Sequence, residues 1–161
     1  MKLVFSDIPD LTFSGDDVIA VVTDNGNIRP CIGCFGCWVK TPGRCVICDG
    51  YENTGELLGK CTELIVVSEC VYGGYSPFIK NLFDRGLGYI SPHFTVRNGE
   101  QHHKRRYDNI ISINVYFYGD VTEEEKATAR EIIAANALNY DGKVGRVEFF
   151  ADADEVRRAL Q

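Results

Sequence analysis

The sequence predicts an α/β fold, a doubly wound and mostly parallel sheet of five strands with the first crossover helix missing. Three observations carry this. Short β-branched runs alternate with stretches of helical character along the chain, the pattern of a sheet flanked by helices. Residues 63–68, Glu-Leu-Ile-Val-Val-Ser, are apolar almost throughout, as a strand covered on both faces must be. Only about a dozen residues separate the first two strands, barely enough for a parallel crossover and too few for one built on a helix.

Taken in order, residues 2–5 form a short buried strand and residues 17–22 a second. Asp24-Asn25-Gly26-Asn27 makes a turn, because Asn and Gly tolerate positive φ. Residues 31–48 form a loop rich in Cys and Gly. A helix over residues 49–60 is weakened by Gly55 and Gly59. The strand at 63–68 leads to a helix opened by Ser76 as N-cap and Pro77 at its first position, which runs to about Gly86. Residues 87–108 read as irregular. In the strand at 109–118, Ile111, Ile113, Val115 and Phe117 alternate with Ser112, Asn114 and Tyr116. Thr122-Glu123-Glu124-Glu125 is a capping box that starts a helix to about Asn139. A strand at 144–150 and a short helix at 152–160 complete the pattern.

The 161 residues suit one domain, residues 1–161, with 45% hydrophobic and 25% charged residues. No apolar run approaches the ~20 residues of a membrane span. The N-terminus turns acidic too early for a signal peptide, so the expectation is a cytoplasmic protein that touches no membrane. A net charge of −6 argues against a nucleic-acid partner. No Ser/His/Asp order, Walker A loop or paired-carboxylate motif supports a hydrolase or an NTPase.

Seven cysteines, an odd number, argue against a disulfide framework. Cys31-x2-Cys34-x2-Cys37-x7-Cys45 is the sharpest chemical signal, since four closely spaced thiolates can hold a [4Fe–4S] cluster. Cys48 adds a Cys-x2-Cys pair that admits structural zinc. The plainer alternative is a tight loop packed by small thiols. A second candidate is the loop Cys70-Val71-Tyr72-Gly73-Gly74 with Tyr118 and Gly119. Both segments end central strands, where open α/β sheets bind ligands, and glycines admit a flat ring while Tyr72 stacks on it. The basic run His102-His103-Lys104-Arg105-Arg106 reads either as a solvated face or as an attractor for a nucleotide phosphate or an acidic partner.

Several segments together resemble the flavodoxin-like NAD(P)H-dependent FMN reductase family. They are Ile-Arg-Pro-Cys-Ile-Gly-Cys-Phe-Gly-Cys-Trp at 28–38, Thr-Pro-Gly-Arg-Cys-Val-Ile at 41–47, the stretch from Ser68 to Arg85, and the motifs at 102–107, 122–126 and 135–137. The resemblance covers roughly residues 17–150. It implies strand order 2-1-3-4-5, FMN as cofactor, an oxidoreductase using NAD(P)H, and a homodimer. The Cys spacing also resembles the iron–sulfur flavoprotein branch of that superfamily. Two alternatives stand beside the reductase: a non-catalytic binding or assembly subunit, and an electron-transfer module with a cluster at Cys31, Cys34, Cys37 and Cys45. One departure bears on the choice. Relatives carry a Gly-Ser-Pro-Arg-type phosphate loop after the first strand, whereas this chain has Ser6-Asp7-Ile8-Pro9-Asp10. Two aspartates repel a phosphate and Pro9 removes an N–H donor, so FMN is expected to bind more weakly than in those relatives. The missing helix is also expected to leave one sheet face bare near the first strands, with residues 31–38 and 87–107 as candidate contacts between copies.

Overall fold

A computed structural model describes residues 1–160. Strands β1 (Lys2–Ser6), β2 (Val18–Thr23), β3 (Glu63–Val71), β7 (Ser112–Tyr118) and β8 (Lys143–Phe150) lie in the order β2-β1-β3-β7-β8, every neighbouring pair parallel. This is the flavodoxin-like arrangement of the doubly wound α/β fold. A two-residue strand, β4 (Gly74–Tyr75), folds back antiparallel on the end of β3.

The alternation of side chains along the strands divides the core in two. Leu3, Phe5, Leu64, Val66, Ile113, Val115 and Phe117 face three helices, α2 (Thr54–Leu58), α3 (Pro77–Arg85) and α4 (Glu123–Asn139). Val4, Ile65, Val67 and Tyr116 face the other way, toward α5 (Ala153–Ala159) and its buried Val156. The helix starts follow their sequence signals. The Ser76 hydroxyl accepts the Ile79 N–H with Pro77 at the first position, and Thr122 and Glu125 close a reciprocal capping box.

No helix lies between β1 and β2. Residues 7–17 return in non-helical conformation. At about 3.3 Å per extended residue, eleven residues easily retrace a five-residue strand. The sheet face here is not left bare, contrary to the expectation. Ile8 and Leu11 are almost fully buried against Val4, Val67 and Tyr116, and Arg157 of α5 donates to the Pro9 carbonyl at 3.0 Å. Two apolar side chains on a coil thus do the covering that a helix would do.

Two further expectations are corrected. Residues 87–108 are not irregular. A 3-10 turn at Gly86–Tyr89 runs into a hairpin of β5 (Ile90–Arg97) and β6 (Glu100–Arg105). Asn98 and Gly99 join the strands at φ of 51° and 83°, the positive pair that a two-residue hairpin turn requires. The helix expected over 49–60 shrinks to Thr54–Leu58, because the Asp49 and Glu52 carboxylates accept backbone N–H groups of 49–51 and hold that stretch as a turn. Gly55 and Gly59 are there for close packing: a Cβ on Gly55 would collide with the Gly43 carbonyl, and one on Gly59 would lie 2.7 Å from the Tyr107 ring. Inside 31–48 there is a single helical turn, α1 (Gly36–Val39).

The covering role of the coil is measurable. Leu11→Ala removes a buried leucine from a segment with no helix of its own. It should lower unfolding stability by about 2–5 kcal/mol in urea denaturation, in the range of core leucine truncations. A loss below about 0.5 kcal/mol would mean the coil packs loosely on the sheet.

Candidate functional site

Two places in the fold hold the sequence candidates: the carboxyl ends of the central strands, and the thiol loop at 29–49.

At the strand ends, Asp7 follows β1 directly, and its side chain turns inward. Oδ2 accepts the Glu69 N–H at 2.7 Å, and Oδ1 accepts the Tyr118 hydroxyl at 3.0 Å. One carboxylate thereby ties together the ends of β1, β3 and β7. Burial pushes its pKa up, while the Ser76 side chain, the Glu69 N–H and Tyr118 pull the other way by bonding the ionised form. Ser6 makes a tight turn in which its hydroxyl accepts the Ile8 N–H at 3.0 Å. The place where relatives of this fold present N–H groups to a phosphate therefore holds the chain's own anion, with Pro9 and Asp10 immediately after it. These residues do not fit the phosphate of FMN.

The loop at 70–74 is a hairpin. Cys70 and Val71 pair with Tyr75 and Gly74, and Tyr72-Gly73 form the turn with φ of 51° and 77°. Tyr72 is 88% exposed. Gly73 is buried, and its close neighbour is α4: an added Cβ would stand 2.8 Å from Cβ of Thr128 and 2.9 Å from the Glu125 carbonyl oxygen. Tyr75 points into the core, against Phe83 and Phe117, where burial pushes its hydroxyl up to about 12. Gly119 follows Tyr118 at φ 119° and lines a shallow hollow with Asp120 and Lys126. The sequence candidates Cys70–Gly74 and Tyr118–Gly119 thus lie at one end of the sheet. Tyr118 is engaged by Asp7, and Gly73 by α4.

The thiol loop is organised by a residue on another element. Arg85, the last residue of α3, has a side chain with no solvent exposure. All five of its N–H groups have acceptors in the loop. Nε donates to Cys45 Sγ at 3.1 Å, Nη1 to the Arg29 carbonyl and Asp49 Oδ2, and Nη2 to the Ile47 carbonyl and Asp49 Oδ1. The Arg85 hydrogen bonds hold the Asp49 carboxyl at about 2. Trp38 adds a second anchor, its indole N–H reaching the carbonyls of Leu87 and Ile90 at 3.2 and 3.0 Å.

Cys31, Cys34 and Cys48 are exposed, and Cys37 and Cys45 partly buried. Burial raises the Cys37 pKa first, and the charges of nearby Cys45, Cys31 and Cys34 raise it further, so the four motif thiols share one neighbourhood. Among the described residues, no three His, Cys, Asp or Glu side chains come together in metal-ligating geometry. Cys45 is also committed to Arg85. Cys45 is thus the motif thiol bonded to the guanidinium, while Cys31 and Cys34 stand exposed.

Several side chains of the basic run are engaged by neighbouring groups. His103 Nδ1 contacts the Ser91 carbonyl at 2.8 Å, His102 Nε2 contacts Glu100, Arg105 pairs with Asp141 at 3.0 Å, and Arg106 donates to the Gly88 carbonyl. Lys104 and Arg106 have no ion pair among the described residues. Sequence reasoning missed Arg85 and Asp7 as organising residues. Their partners lie 36–56 and 62–111 positions away along the chain, and no local pattern marks them.

No family model, curated protein or solved structure matches the chain. Fold and site define a flavodoxin-like α/β domain with an internally filled anion position and an arginine-clamped thiol loop. No described helix is long and apolar enough to cross a membrane.

The clamp carries a pH signature. The Asp49 carboxyl titrates lower in the folded chain than in the unfolded one, so its stabilisation is present above about pH 4 and is lost as pH falls toward 2. A shift of this size corresponds to about 2 kcal/mol. Urea unfolding followed from pH 5 to pH 2 should show this loss, and Asp49→Asn should start less stable and follow a flatter profile in the same window.

Proposed function

We propose that this chain is a non-catalytic, flavodoxin-like binding or assembly subunit that has given up the phosphate site of its fold. The Asp7 carboxylate carries the reading. In this fold a nucleotide phosphate is held by N–H groups and a helix N-terminus after the first strand. Here that helix is missing, and the nearby donors Glu69 N–H and Tyr118 O–H are given to Asp7. A phosphate brought to the same place would meet a like charge and would find those two donors already taken. Fold alone does not bring function, so the flavodoxin-like sheet is no argument for the reductase reaction once its anchoring site is gone. The exposed apolar side chains of the thiol loop and of the β5–β6 hairpin support a role in association.

The test is a calorimetric titration with FMN and with riboflavin, which lacks the phosphate. Each charge-assisted hydrogen bond to a phosphate contributes about 1.5–3 kcal/mol, so even one such bond separates the two ligands by roughly tenfold or more. The expected result is equal affinity, within about threefold, or no binding of either. A strong preference for FMN would overturn the reading and return the chain to the NAD(P)H-dependent oxidoreductases. Repeating the titration after anaerobic incubation with iron and sulfide tests the electron-transfer alternative. A brown protein with four fewer titratable thiols would favour a cluster at Cys31, Cys34, Cys37 and Cys45.

A further inference from the structure

The last turns of α3 and α4 meet the β5–β6 hairpin around a cleft of about 560 Å³, a size that suits a small molecule. Both helices leave the carboxyl ends of the strands and run back toward the amino ends, so the cleft lies away from Asp7 and Tyr118. Its floor is apolar: Phe83, Leu87, Ile90 and Tyr140. Its polar side chains offer mainly acceptors. His103 Nδ1 lies 2.8 Å from the Ser91 carbonyl, which can only accept, so Nδ1 carries the proton and the neutral ring keeps Nε2 as a lone pair. His102 is held the other way round, with Nε2 on the Glu100 carboxylate and Nδ1 left over. Asn136 gives its amide nitrogen to the Tyr75 hydroxyl at 3.4 Å, which leaves the carbonyl Oδ1. These three remaining acceptors have no partner among the described residues. No lysine or arginine lines the cleft, and its one carboxylate, Asp84, is already paired with Lys80 at 2.6 Å.

From this chemistry we infer that the cleft binds a small, neutral, flat ring that carries hydrogen-bond donors, as an amino-substituted nitrogen heterocycle does. The ring covers the apolar floor, and its amino groups donate to the acceptors of Asn136 and the two histidines. Charge selects against the alternatives. An anion finds no cation among the lining residues, and a cation finds the one carboxylate taken. A ring without donors buries those acceptors unpaired, which is costly. The inference goes beyond the assembly reading and does not depend on it, since none of the lining residues belongs to the Asp7 cluster.

Two probes separate donors from ring shape: diaminopurine, and purine, which has the same ring without the amino groups. Nuclear magnetic resonance titration of the isotope-labelled chain reads both. Diaminopurine should bind in the low millimolar range or tighter, and about tenfold tighter than purine. The shifting amides should be those at the ends of α3 and α4 and at residues 101–103. Cys31 forms part of the cleft wall, so its alkylation should slow with diaminopurine while that of Cys48, also exposed, does not. Asn136→Leu keeps the bulk and removes an acceptor, and should cut the preference for diaminopurine to about threefold or less. Asn139→Trp, from the end of α4, should fill the cleft and abolish binding of both probes. No binding of diaminopurine at about 10 mM, equal binding of the two probes by the wild-type chain, or binding unchanged by both substitutions would overturn the inference. The flavin titration fails separately: FMN preference would overturn the Asp7 reading and leave the cleft site standing, and a chain that ignores diaminopurine while showing no FMN preference would do the reverse.

Discussion

The Arg85 guanidinium is buried, and each of its five N–H groups ends on the segment 29–49. Burying a lone guanidinium is strongly unfavourable; burying one whose donors are all satisfied and whose charge meets a bidentate carboxylate is not. Burial works against the charged form of Arg85, and Asp49 with Cys45 more than offset it. The constraint runs both ways. The loop needs the arginine, because it has only one helical turn of its own. The arginine needs the loop, because removing Asp49 would strand a buried cation, at a typical cost of about 3–5 kcal/mol. Trp38 and the close contacts among Gly43, Gly55 and Gly88 then fix the loop on the end of α3.

The second constraint sits at the opposite end of α3. Asp7, Glu69 and Tyr118 close the carboxyl ends of β1, β3 and β7 on one another. An α/β sheet of this order ordinarily keeps that end open for a ligand. Here a carboxylate of the chain occupies the donors, and the Tyr72-Gly73 turn is packed down on α4. The sheet is retained while Asp7 ties the ends of β1, β3 and β7 together, and six of the ten exposed large apolar side chains lie on the thiol loop and hairpin. Both shifts follow from local residues: the acidic coil at 6–10 replaces a phosphate loop, and a glycine at 73 lets the hairpin lie against Thr128.

Much of this fold was legible in the sequence, because its signals are local. β-branched runs marked five strands, Ser76-Pro77 and Thr122–Glu125 marked helix starts, and the short link after Phe5 marked the missing crossover helix. The hairpin at 90–105 escaped although Asn98-Gly99 is a strong turn signal. Its strands carry His, Arg and Lys in place of a clean apolar alternation. The helix at 49–60 was overextended because its first residues are recruited by Arg85 and by Glu52, which no local propensity encodes. The site was less legible. Composition revealed a cysteine loop and an acidic coil, but the bonds that define them span 36 to 111 residues. Within the basic run, the pairing of Arg105 was not legible because Asp141 lies 36 residues beyond it.

Hydrogen exchange of the backbone amides tests most directly whether Arg85 organises the loop. Arg85→Leu keeps an apolar stem of similar bulk and removes all five donors. The account predicts that amides within 29–49, among them Gly43 and Cys45, whose N–H groups bond Cys37 and Glu52, lose protection by about a hundredfold or more, while those of β3 and β7 change far less. Unchanged protection across 29–49 in a folded Arg85→Leu chain would contradict it.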